Sequence, residues 1–600
     1  MLVTRDNYDQ VLKELSLCQM FALDTETTGL DIHRGDKLFA IIIRTYNNVY
    51  YFNFKQYELS LSSDEVLGDF HLVMLQQIFD NENATWFIHN AKFDMAALGN
   101  ESLEIKGRVH CTAAIHRVIR NDLMNYELET LAKVVGMKKS KEVDQYIKDY
   151  GLVTVEWIEG KKLERKHFDK VPFEIMHQYA CMDVSICWTL GLYQLKELER
   201  LDQEKPQGLP SILGVYYNEC EVTKVCYQME RLGALVDIPY SKKALEAERI
   251  NASNTEKEFY RLTDITFCDS AKVFVEAFTK LGLKYGTTEK GNPSFKEDIL
   301  EKIDHPIAQV ILDYRAANKK ASTHYANFIY YADKWGRIHA NLKQFGTNTG
   351  RISCAAPNFQ NLNKEEDVEE ELLVRRAFVP TPGFLYAMID YDQMEYRLLL
   401  ESCKEMNVID KILYDKLDVH EATARMMGVT RDRAKTLNFM LLYGGGIIKL
   451  AKMLKISSDE AARVKRKYFD SLPNVCSYTR RIIEKAGLQG KVRNWFGRVC
   501  HCRDKNFAYT LVDHLIQGGC ADVVKIAMVR LFKFLEPYKS RMVLQVHDEI
   551  LFEIHESEIS IIPKLQEIMS SVFPYSKLPL TCSVSHSRKS WADKVKGLPT

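Results

Sequence analysis

Short apolar runs separated by amphipathic stretches mark the first third of the chain. The apolar runs at 21–23, 39–44 and 86–88 predict short buried strands, and the stretches between them predict helices. Strands that alternate with helices are typical of an α/β domain. We therefore expect an α/β domain over residues 1–195, followed by a polar linker at 196–214.

The remaining two thirds of the chain follow a different pattern. From 215 to 345 the spacing of apolar residues is mostly helical, and strand patterns return at 384–389 and 542–554. The second of these segments predicts a β-hairpin with His547 and Asp548 at its turn. A long helical section lies between the two strand segments. We therefore expect this part of the chain to be an α+β domain.

Length and cysteine usage narrow the class of protein. The chain has 600 residues, which is too many for one hydrophobic core, so we expect two to four domains. Its 14 cysteines are scattered without a framework, as is typical of a reducing compartment. The sequence contains neither an apolar run of about 20 residues nor an N-terminal signal peptide. We expect a soluble protein of the cytoplasm with no membrane contact.

Overall charge does not indicate a nucleic-acid partner, because 81 basic residues balance 81 acidic ones. Segregated charge would still permit a DNA channel, although most charge runs are ordinary solvated surfaces. The basic clusters are Lys161-Lys162 with Arg165-Lys166, Arg375-Arg376, Arg431 with Arg433 and Lys435, and Arg463 with Lys465, Arg466 and Lys467.

A set of acids in the first 195 residues is suited to metal binding. Asp24 and Glu26 follow an apolar strand and are two residues apart, so both point to the same face and can reach one metal. Asp94 follows a later strand. Tyr179 and Asp183 are four residues apart on a predicted helix and therefore share a face. A single Asp-x-Glu is common by chance, whereas the whole set is not.

In order and context, these segments resemble the three motifs of the DnaQ-like 3′→5′ exonucleases, over residues 1–195. The resemblance implies a ribonuclease H-like fold and hydrolysis assisted by two divalent metal ions. It also implies that Tyr179 orients the attacking water. The metal ligands that it implies are Asp24, Glu26, Asp94 and Asp183.

Two further acids, far apart in the chain, each end an apolar strand. Asp390 follows the run at 384–389, and Asp548 lies in the predicted hairpin turn. An acid at the end of a buried strand is costly unless it faces a cleft or a cation. The two acids can therefore lie in one cleft and bind the same pair of metal ions. Between them, Arg431, Lys435 and Phe439 recur every four residues on one predicted helix face, which continues to Tyr443. Arg431 and Phe439 would be about 12 Å apart, a distance that suits a nucleoside triphosphate.

Six segments resemble, in order, the motifs of the A-family DNA polymerases. The resemblance implies a right-hand arrangement of palm, fingers and thumb. It places the thumb at 215–345, the first part of the palm at 346–401, the fingers at 402–525 and the second part of the palm at 526–600. The segments are 347–353, 357–361, 390–397, 431–444, 517–522 and 545–549.

Residue roles follow from this resemblance position by position. It implies two Mg²⁺ ions in each active site, with Mn²⁺ as a substitute, and Lys435 as a proton donor to pyrophosphate. The implied polymerase metal ligands are Asp390, Asp548 and Tyr391. The implied dNTP-binding residues are Arg431, Lys435, Phe439, Tyr443, His420, Glu395 and Gln393. The implied DNA-binding residues are Arg351, Gln517, His547, Asn358 and Gln360.

The sequence departs from the family pattern at several positions. Asp392 stands where bacterial repair enzymes usually have Ser. Tyr509 and Asp513 stand where Arg and Asn are expected, which puts part of the minor-groove contact set in doubt. The segment 497–500 lacks the usual arginine run. None of these changes removes an implied metal ligand.

The expected activity is template-directed DNA synthesis with 3′→5′ proofreading, on primer-template DNA and dNTPs. The compact length resembles stand-alone phage polymerases, and no 5′ nuclease is expected because nothing precedes the exonuclease-like segment. We expect a monomer, with a replisome helicase or processivity factor as a further candidate partner that the sequence does not identify. Two alternatives are a nuclease of the ribonuclease D type and a replisome scaffold with inactive sites.

Overall fold

The computed structural model describes residues 1–57, 61–159, 161–288, 290–362, 373–442, 445–573 and 577–599, without the side chains of Phe439 and Leu442. Tyr443, which the resemblance assigns to the nucleotide, lies outside the described residues together with Gly444, as does the side chain of Phe439. Within the described ranges, no helix combines the length and the apolarity that a bilayer crossing requires.

The first third contains a six-stranded mixed sheet in the order β1-β4-β3-β2-β5-β6. On β2, Phe21 and Leu23 pack into one hydrophobic cluster and Ala22 into another, because successive side chains of a strand point to opposite faces. Both faces of this sheet are therefore buried, and the three expected strands are confirmed. The strands are β1 (Leu2–Val3), β2 (Met20–Thr27), β3 (Leu38–Arg44), β4 (Val49–Asn53), β5 (Thr85–Ile88) and β6 (Arg108–Cys111).

Within the described residues, eight α-helices and a separate two-stranded ribbon complete this α/β unit. The longest helix, α8, packs against β2. The helices are α1 (Tyr8–Ser16), α2 (Asp69–Met74), α3 (Gln76–Phe79), α4 (Lys92–Asn100), α5 (Thr112–Ile119), α6 (Leu128–Ala132), α7 (Glu142–Asp149) and α8 (Phe173–Gln203), and the ribbon is β7 (Val153–Ile158) with β8 (Lys161–Lys166).

The linker expected at 196–214 is shorter than the sequence suggested. Helix α8 continues to Gln203 and the next helix begins at Ile212, so only 204–211 connect them. The reason is packing, since Leu198 and Leu201 are buried and hold the last turns of α8 in the helix.

Residues 212–331 are mainly helical, as expected, with short strands between and after the helices. The helices are α9 (Ile212–Leu232), α10 (Ile238–Thr263), α11 (Ala271–Lys280), α12 (Glu297–Leu300), α13 (Pro306–Asn318) and α14 (Ala326–Tyr331). The strands are β9 (Ala234–Leu235), β10 (Gly286–Thr287), β11 (Pro293–Ser294), β12 (Arg337–Ile338), β13 (Asn341–Lys343) and β14 (Ser353–Ala355).

A five-stranded antiparallel sheet forms the centre of the second part, in the order β18-β19-β15-β20-β21. The expected strand and hairpin are confirmed, and residues 547 and 548 form the turn between β18 and β19. The strands are β15 (Phe384–Tyr391), β16 (Lys491–Arg493), β17 (Val499–His501), β18 (Arg541–Val546), β19 (Glu549–His555), β20 (Cys582–Ser587) and β21 (Val595–Lys596).

The helical section between β15 and β18 has its own hydrophobic cluster, which includes Leu399, Leu437 and Tyr468. The predicted helix at 431–444 is observed from Arg431 to Leu442. The helices are α15 (Met394–Cys403), α16 (Met406–Tyr414), α17 (Val419–Met427), α18 (Arg431–Leu442), α19 (Ile447–Leu454), α20 (Ser458–Asp470), α21 (Pro473–Gln489), α22 (Thr510–Leu535) and, after the hairpin, α23 (Ile562–Ser570).

Two adjacent glycines let α22 approach its neighbours closely. A Cβ on Gly519 would lie 2.1 Å from the ring of Trp495, and one on Gly518 would lie 2.9 Å from the carbonyl oxygen of Thr349. Both separations are shorter than van der Waals contact. This part of α22 therefore requires glycine for packing.

A buried network of four charges joins α9 to α22. Glu219 on α9 accepts from Lys525 of α22 at 2.8 Å and also pairs with Arg498. Arg498 Nε donates to Asp522 of α22 at 3.0 Å. All four side chains are 4% exposed or less. Because each charge has a partner of opposite sign, the network can remain buried in the ionised state.

The ribbon connects the α/β unit to the rest of the chain. Near its tip, Glu159 accepts from Arg249 of α10 at 3.1 Å, and Lys161 donates to Asn327 of α14. On one face, Arg165 pairs with Asp36 at 3.0 Å. The ribbon is thus held both to its own domain and to the helical segment that follows it.

Candidate active sites

The first acid cluster forms around β2, where α4 and α8 meet the sheet. Thr25 fixes one of the acids, because its backbone N–H and its hydroxyl donate to Asp94 Oδ1 at 2.9 and 2.8 Å. The structure brings all five sequence-predicted residues together. They are Asp24 and Glu26 on β2, Asp94 on α4, and Tyr179 and Asp183 on α8.

Burial and mutual repulsion raise the pKa values of these carboxyls. Burial, followed by the charges of Glu26 and its acidic neighbours, raises the pKa of Asp24. Burial raises the pKa of Glu26 to about 8 and that of Asp94 to about 7. Ionising such a group of buried acids is costly unless a cation compensates them. The cluster therefore favours a bound cation.

Lys139 is a member of this cluster that the sequence analysis missed. Its ammonium donates to Asp183 Oδ2 and lies 4.8 Å from the centre of the Tyr179 ring. Lys139 is 44 residues from Asp183 in the chain and lies between helices, so no spacing rule could connect them. The acid charges hold the pKa of Lys139 above its usual value despite the opposing effect of burial.

The second acid pair lies at one end of the five-stranded sheet. Asp390 is on the central strand β15, and Asp548 is in the turn between β18 and β19. The backbone N–H of Tyr391 donates to the carbonyl oxygen of Asp548 at 3.3 Å, which holds the strand end against the turn. The main chain therefore brings Asp390 and Asp548 next to each other, and their joint binding of a metal pair stays a prediction.

Two neighbours of this pair have structural roles. The Tyr391 side chain points into the core, where its hydroxyl donates to the Met569 carbonyl oxygen at 2.8 Å, so only its main chain can face a metal. Glu549 is buried and accepts from Lys594 at 2.9 Å and from the Trp591 indole at 3.3 Å. Its charge is therefore compensated within the protein.

The start of α15 carries Gln393 and Glu395 close to the acid pair. Gln393 precedes the helix in a left-handed conformation, with φ of 50°. Glu395 lies in the first turn and forms an ion pair with Arg351. Asp513 of α22 also lies near this pair, and burial, reinforced by the charge of Glu395, raises the pKa of Asp513 to about 6.

Most of the expected DNA-binding residues line connected surfaces near Asp548. Asn358, Gln360 and His547 line a cavity of about 770 Å³. The Gln360 amide donates to Gln545 Oε1 at 3.1 Å. Gln517, half-buried, lies one helical turn beyond Asp513 on α22.

In the basic cluster at 375–376, Arg375 is turned away from the surface and is not available to a DNA channel. Arg375 is buried, donates to the carbonyl oxygen of Leu362 at 2.7 Å and stacks over the Trp591 ring. Its guanidinium therefore stabilises the fold around β15.

The expected phosphate-binding residues lie on α17 and α18. Arg431 and Lys435 are exposed on one face of α18, and Arg431 pairs with Asp418 at 2.8 Å. His420 is buried beneath them, with its Nδ1 2.9 Å from the Asn438 amide nitrogen. Burial lowers the pKa of His420. Its contact with a phosphate stays a prediction.

Both acid clusters offer ligands that fit a divalent cation, since carboxylate oxygens are the donors that Mg²⁺ prefers. Among the described residues, no three His, Cys, Asp or Glu side chains form a preformed cation cage. In the first cluster the carboxylates already have protein partners, Thr25 on Asp94 and Lys139 on Asp183. A cation would therefore share these carboxylates with the protein groups that already contact them.

Comparison with protein families assigns both parts of the chain. Residues 240–593 match the model described as DNA polymerase family A. The chain belongs to DNA polymerase family A. Residues 1–199 match the model described as 3′-5′ exonuclease, so an exonuclease domain precedes the polymerase domain. Both resemblances in the sequence are confirmed.

Individual members of this family match over different lengths. DNA polymerase I of Pseudomonas aeruginosa is 28% identical over 594 residues, which are 92% of this chain and 61% of that protein. The thermostable DNA polymerase I of Thermus aquaticus is 33% identical over 400 residues, 61% of this chain and 47% of that protein. The chain therefore spans about three fifths or less of these bacterial relatives. DNA polymerase DpoZ of Salmonella phage PMBT28 is 27% identical, with 90% of this chain and 91% of that protein covered.

A solved structure of the family has the same fold. The POL domain of Pol1 from M. smegmatis, in complex with DNA primer-template and dNTP, matches with a TM-score of 0.80 over 99% of both chains, at 22% identity. The expected fold class, an exonuclease domain followed by a right-hand polymerase domain, is confirmed.

Proposed function

We propose that the chain is a template-directed DNA polymerase with a 3′→5′ proofreading exonuclease. The observation that carries the proposal is the presence of two acid clusters in two separate domains. Asp390 and Asp548 lie together at the end of the five-stranded sheet, and the other acids surround β2. Neither cluster shares a residue with the other, so each can support its own reaction.

At the polymerase site, Asp390 and Asp548 would hold two Mg²⁺ ions, for which Mn²⁺ can substitute, with the main chain of Tyr391 as a further ligand. Divalent cations bound there would activate the primer 3′ hydroxyl and neutralise the triphosphate. Exposed Arg431 and Lys435 would bind the phosphates, and Lys435 would donate a proton to pyrophosphate. Their spacing of one helical turn, about 6 Å along the axis, keeps both cations on the same helix face.

The remaining nucleotide contacts would form around α15 and α18. Gln393 and Glu395 would face the sugar, and His420 would join the phosphate contacts after a local rearrangement. Phe439 and Tyr443 would flank the base and sugar, an assignment that depends on the sequence motif alone.

Primer-template DNA would lie along the cavity beside Asp548. Polar side chains that line the cavity can form hydrogen bonds with base edges and phosphates. Gln517 and Arg351 would contribute from α22 and from the segment before β14. The cavity residues that we assign to DNA are Asn358, Gln360 and His547.

At the exonuclease site, Asp24, Glu26, Asp94 and Asp183 would hold two divalent cations. Tyr179 would orient the water that attacks the terminal phosphodiester. The raised pKa of Glu26, about 8, supports this assignment, because a buried acid of this kind is stabilised by a neighbouring cation.

For the biological role, we propose replication of a phage genome in the cytoplasm of a bacterial host. The match to phage DpoZ along nearly its whole length supports this role. The free cysteines among the described residues are compatible with a reducing compartment. We propose a monomer that acts with a replisome helicase or processivity factor.

A primer-extension gel tests the function. A 5′-labelled primer annealed to a longer template is incubated with the protein and Mg²⁺, with and without dNTPs. We expect extension with dNTPs and shortening without them. Extension without shortening would contradict the exonuclease assignment, and shortening alone would contradict the polymerase assignment. If neither product appears, both activities are refuted and the inactive scaffold is the remaining alternative.

A further inference from the structure

Lys139 brings a protein cation into the acid cluster of the exonuclease domain. The lysine lies between α6 and α7, outside every motif that identified the cluster. Its ammonium donates to Asp183 Oδ2 and lies 4.8 Å from the centre of the Tyr179 ring. It therefore contacts one acid and the tyrosine that our proposed function assigns to hydrolysis.

The two oxygens of Asp183 have different surroundings. Lys139 occupies Oδ2, whereas Oδ1 is buried and accepts no hydrogen bond within the described part of the chain. A buried carboxylate oxygen without a donor is costly and is stabilised by a cation ligand. Lys139 thus holds the Asp183 carboxylate through Oδ2, and Oδ1 is left available to a cation.

The Lys139 side chain is mostly buried but remains partly accessible to solvent. Its side chain is 23% exposed, against 4% for Asp183. On its open side it lines a cavity of about 650 Å³ together with Asn90, Arg117 and Gln344. A charge held at the edge of a polar cavity is screened less than one on an open surface.

We propose that Lys139 is a positioning residue of the exonuclease centre, which holds Asp183 and Tyr179 in place and lowers the affinity of Asp183 for a divalent cation. This inference rests on the exonuclease part of the proposed function. The ammonium on Oδ2 repels a cation that binds Oδ1 of the same carboxylate. Removing the lysine charge would therefore tighten cation binding while disordering the two side chains that it contacts.

The matched control is Lys141, two residues along the same segment. Lys141 is 68% exposed and pairs with Glu129 at 2.9 Å, away from the acid cluster. We compare Lys139→Met, Lys139→Arg and Lys141→Met in the full-length protein. Methionine keeps most of the length of the lysine side chain without the charge, and arginine restores the charge.

The first measurement is the degradation of single-stranded DNA under saturating Mg²⁺. We expect kcat to fall at least about tenfold in Lys139→Met with KM for DNA little changed, the pattern for lost transition-state interactions. Lys139→Arg should recover most of kcat, and Lys141→Met should match the unchanged protein. Equal kcat in Lys139→Met, or no recovery with arginine, would refute the positioning role.

The second measurement is Mn²⁺ binding without DNA, followed by electron paramagnetic resonance. All proteins carry Asp390→Asn and Asp548→Asn, so that the signal reports the exonuclease acids. We expect the Kd for Mn²⁺ to fall about tenfold in Lys139→Met, equivalent to ~1.4 kcal/mol of relieved repulsion. An unchanged or weaker affinity in Lys139→Met would overturn the inference, since a purely structural lysine would weaken binding when removed.

The two measurements separate failure of the inference from failure of the proposed function. If the unchanged protein degrades DNA and Lys139→Met behaves identically in both assays, only the role of Lys139 is wrong. If the unchanged protein does not degrade DNA, the exonuclease proposal is wrong, and Mn²⁺ binding still decides whether Lys139 opposes cation binding.

Discussion

Arg351 forms an ion pair with Glu395 at the start of α15, beside the Asp390 and Asp548 pair. The Glu395 side chain is only 12% exposed, so its charge is compensated by the guanidinium and is largely shielded from water. An acid held in this way presents bulk more than charge to a neighbouring sugar. Its position is consistent with a steric role against a 2′ hydroxyl.

Replacing Glu395 with alanine should admit ribonucleotides. Truncation leaves a space where the side chain would clash with a 2′ hydroxyl, and such discrimination is worth a few kcal/mol, or roughly 10²-fold. The measurement is the ratio of kcat/KM for dGTP to that for GTP. Glu395→Gln, which keeps the bulk, is the control and should retain most of the discrimination. An unchanged ratio in Glu395→Ala would show that this side chain is not the barrier.

The two acid clusters should be separable by mutation. The double substitution Asp24→Ala with Glu26→Ala should lower the rate of primer shortening by several orders of magnitude. Extension should survive, because the ligands of only one site are lost. Asp548→Ala should do the reverse. Both activities are measured on one labelled primer-template. Parallel loss of both activities in a folded double variant would contradict two independent sites.

Asp513 should make stability depend on pH between about 4 and 6.5. Burial raises its pKa to about 6, so the unfolded chain releases this proton at lower pH than the folded chain does. Stability is therefore lost as the pH rises from 3.8, the pKa of the unfolded chain, through about 6, the pKa of the folded chain. Above that pH the loss no longer changes. With screening at this partly exposed site, the loss amounts to ~1–2 kcal/mol.

The measurement for Asp513 compares the melting temperatures of Asp513→Asn and the unchanged protein from pH 4.5 to 8.5. The stability advantage of the asparagine variant should grow up to about pH 6.5 and then stay level. Effects of the amide itself are the same at every pH and cancel in this comparison. Parallel curves over the whole range would disprove the shifted titration.

Glu219→Ala should destabilise the chain strongly. Removing this acid leaves Arg498 and Lys525 buried with Asp522 as their remaining acid partner in the network, and breaking a buried ion pair costs ~3–5 kcal/mol. We expect the melting temperature to fall by roughly 3–5 °C, since the unfolding entropy of so long a chain makes the shift per kcal/mol small. Glu221→Ala, on the same helix but outside the network, is the control and should change it little. A melting temperature as high as that of the control variant would mean that the network contributes little.

Local patterns in the sequence predicted the elements that carry the acids. Strand β2, a helix around Tyr179 and Asp183, and the hairpin with Asp548 at its turn all follow from residue spacing within each segment. The family motifs then predicted which acids meet, because each motif has a fixed place in a known fold. Strand and helix periodicity alone contains no information about which distant segments come together.

The features that the sequence did not reveal are contacts between distant segments. Lys139 meets Asp183 from another loop, and Glu219 meets Lys525 across 306 positions. Side-chain packing decides such partners, and single charged residues have no periodic signal. The buried position of Arg375 has the same origin, since its environment depends on Trp591, which lies far along the chain from it.

The ribbon at 153–166 means that the peptide connection at 204–211 is not the only link between the exonuclease domain and the rest of the chain. The ribbon contributes the contact between Glu159 and Arg249. Two further hydrogen bonds join the domains elsewhere. Asn121 donates to the carbonyl oxygen of Asn348 at 2.8 Å, and Arg503 donates to the carbonyl oxygen of Asp122 at 2.9 Å. A protease cut within 204–211 would leave these contacts in place. The two fragments would then elute together under native conditions, and the enzyme could be assembled from two separately made polypeptides.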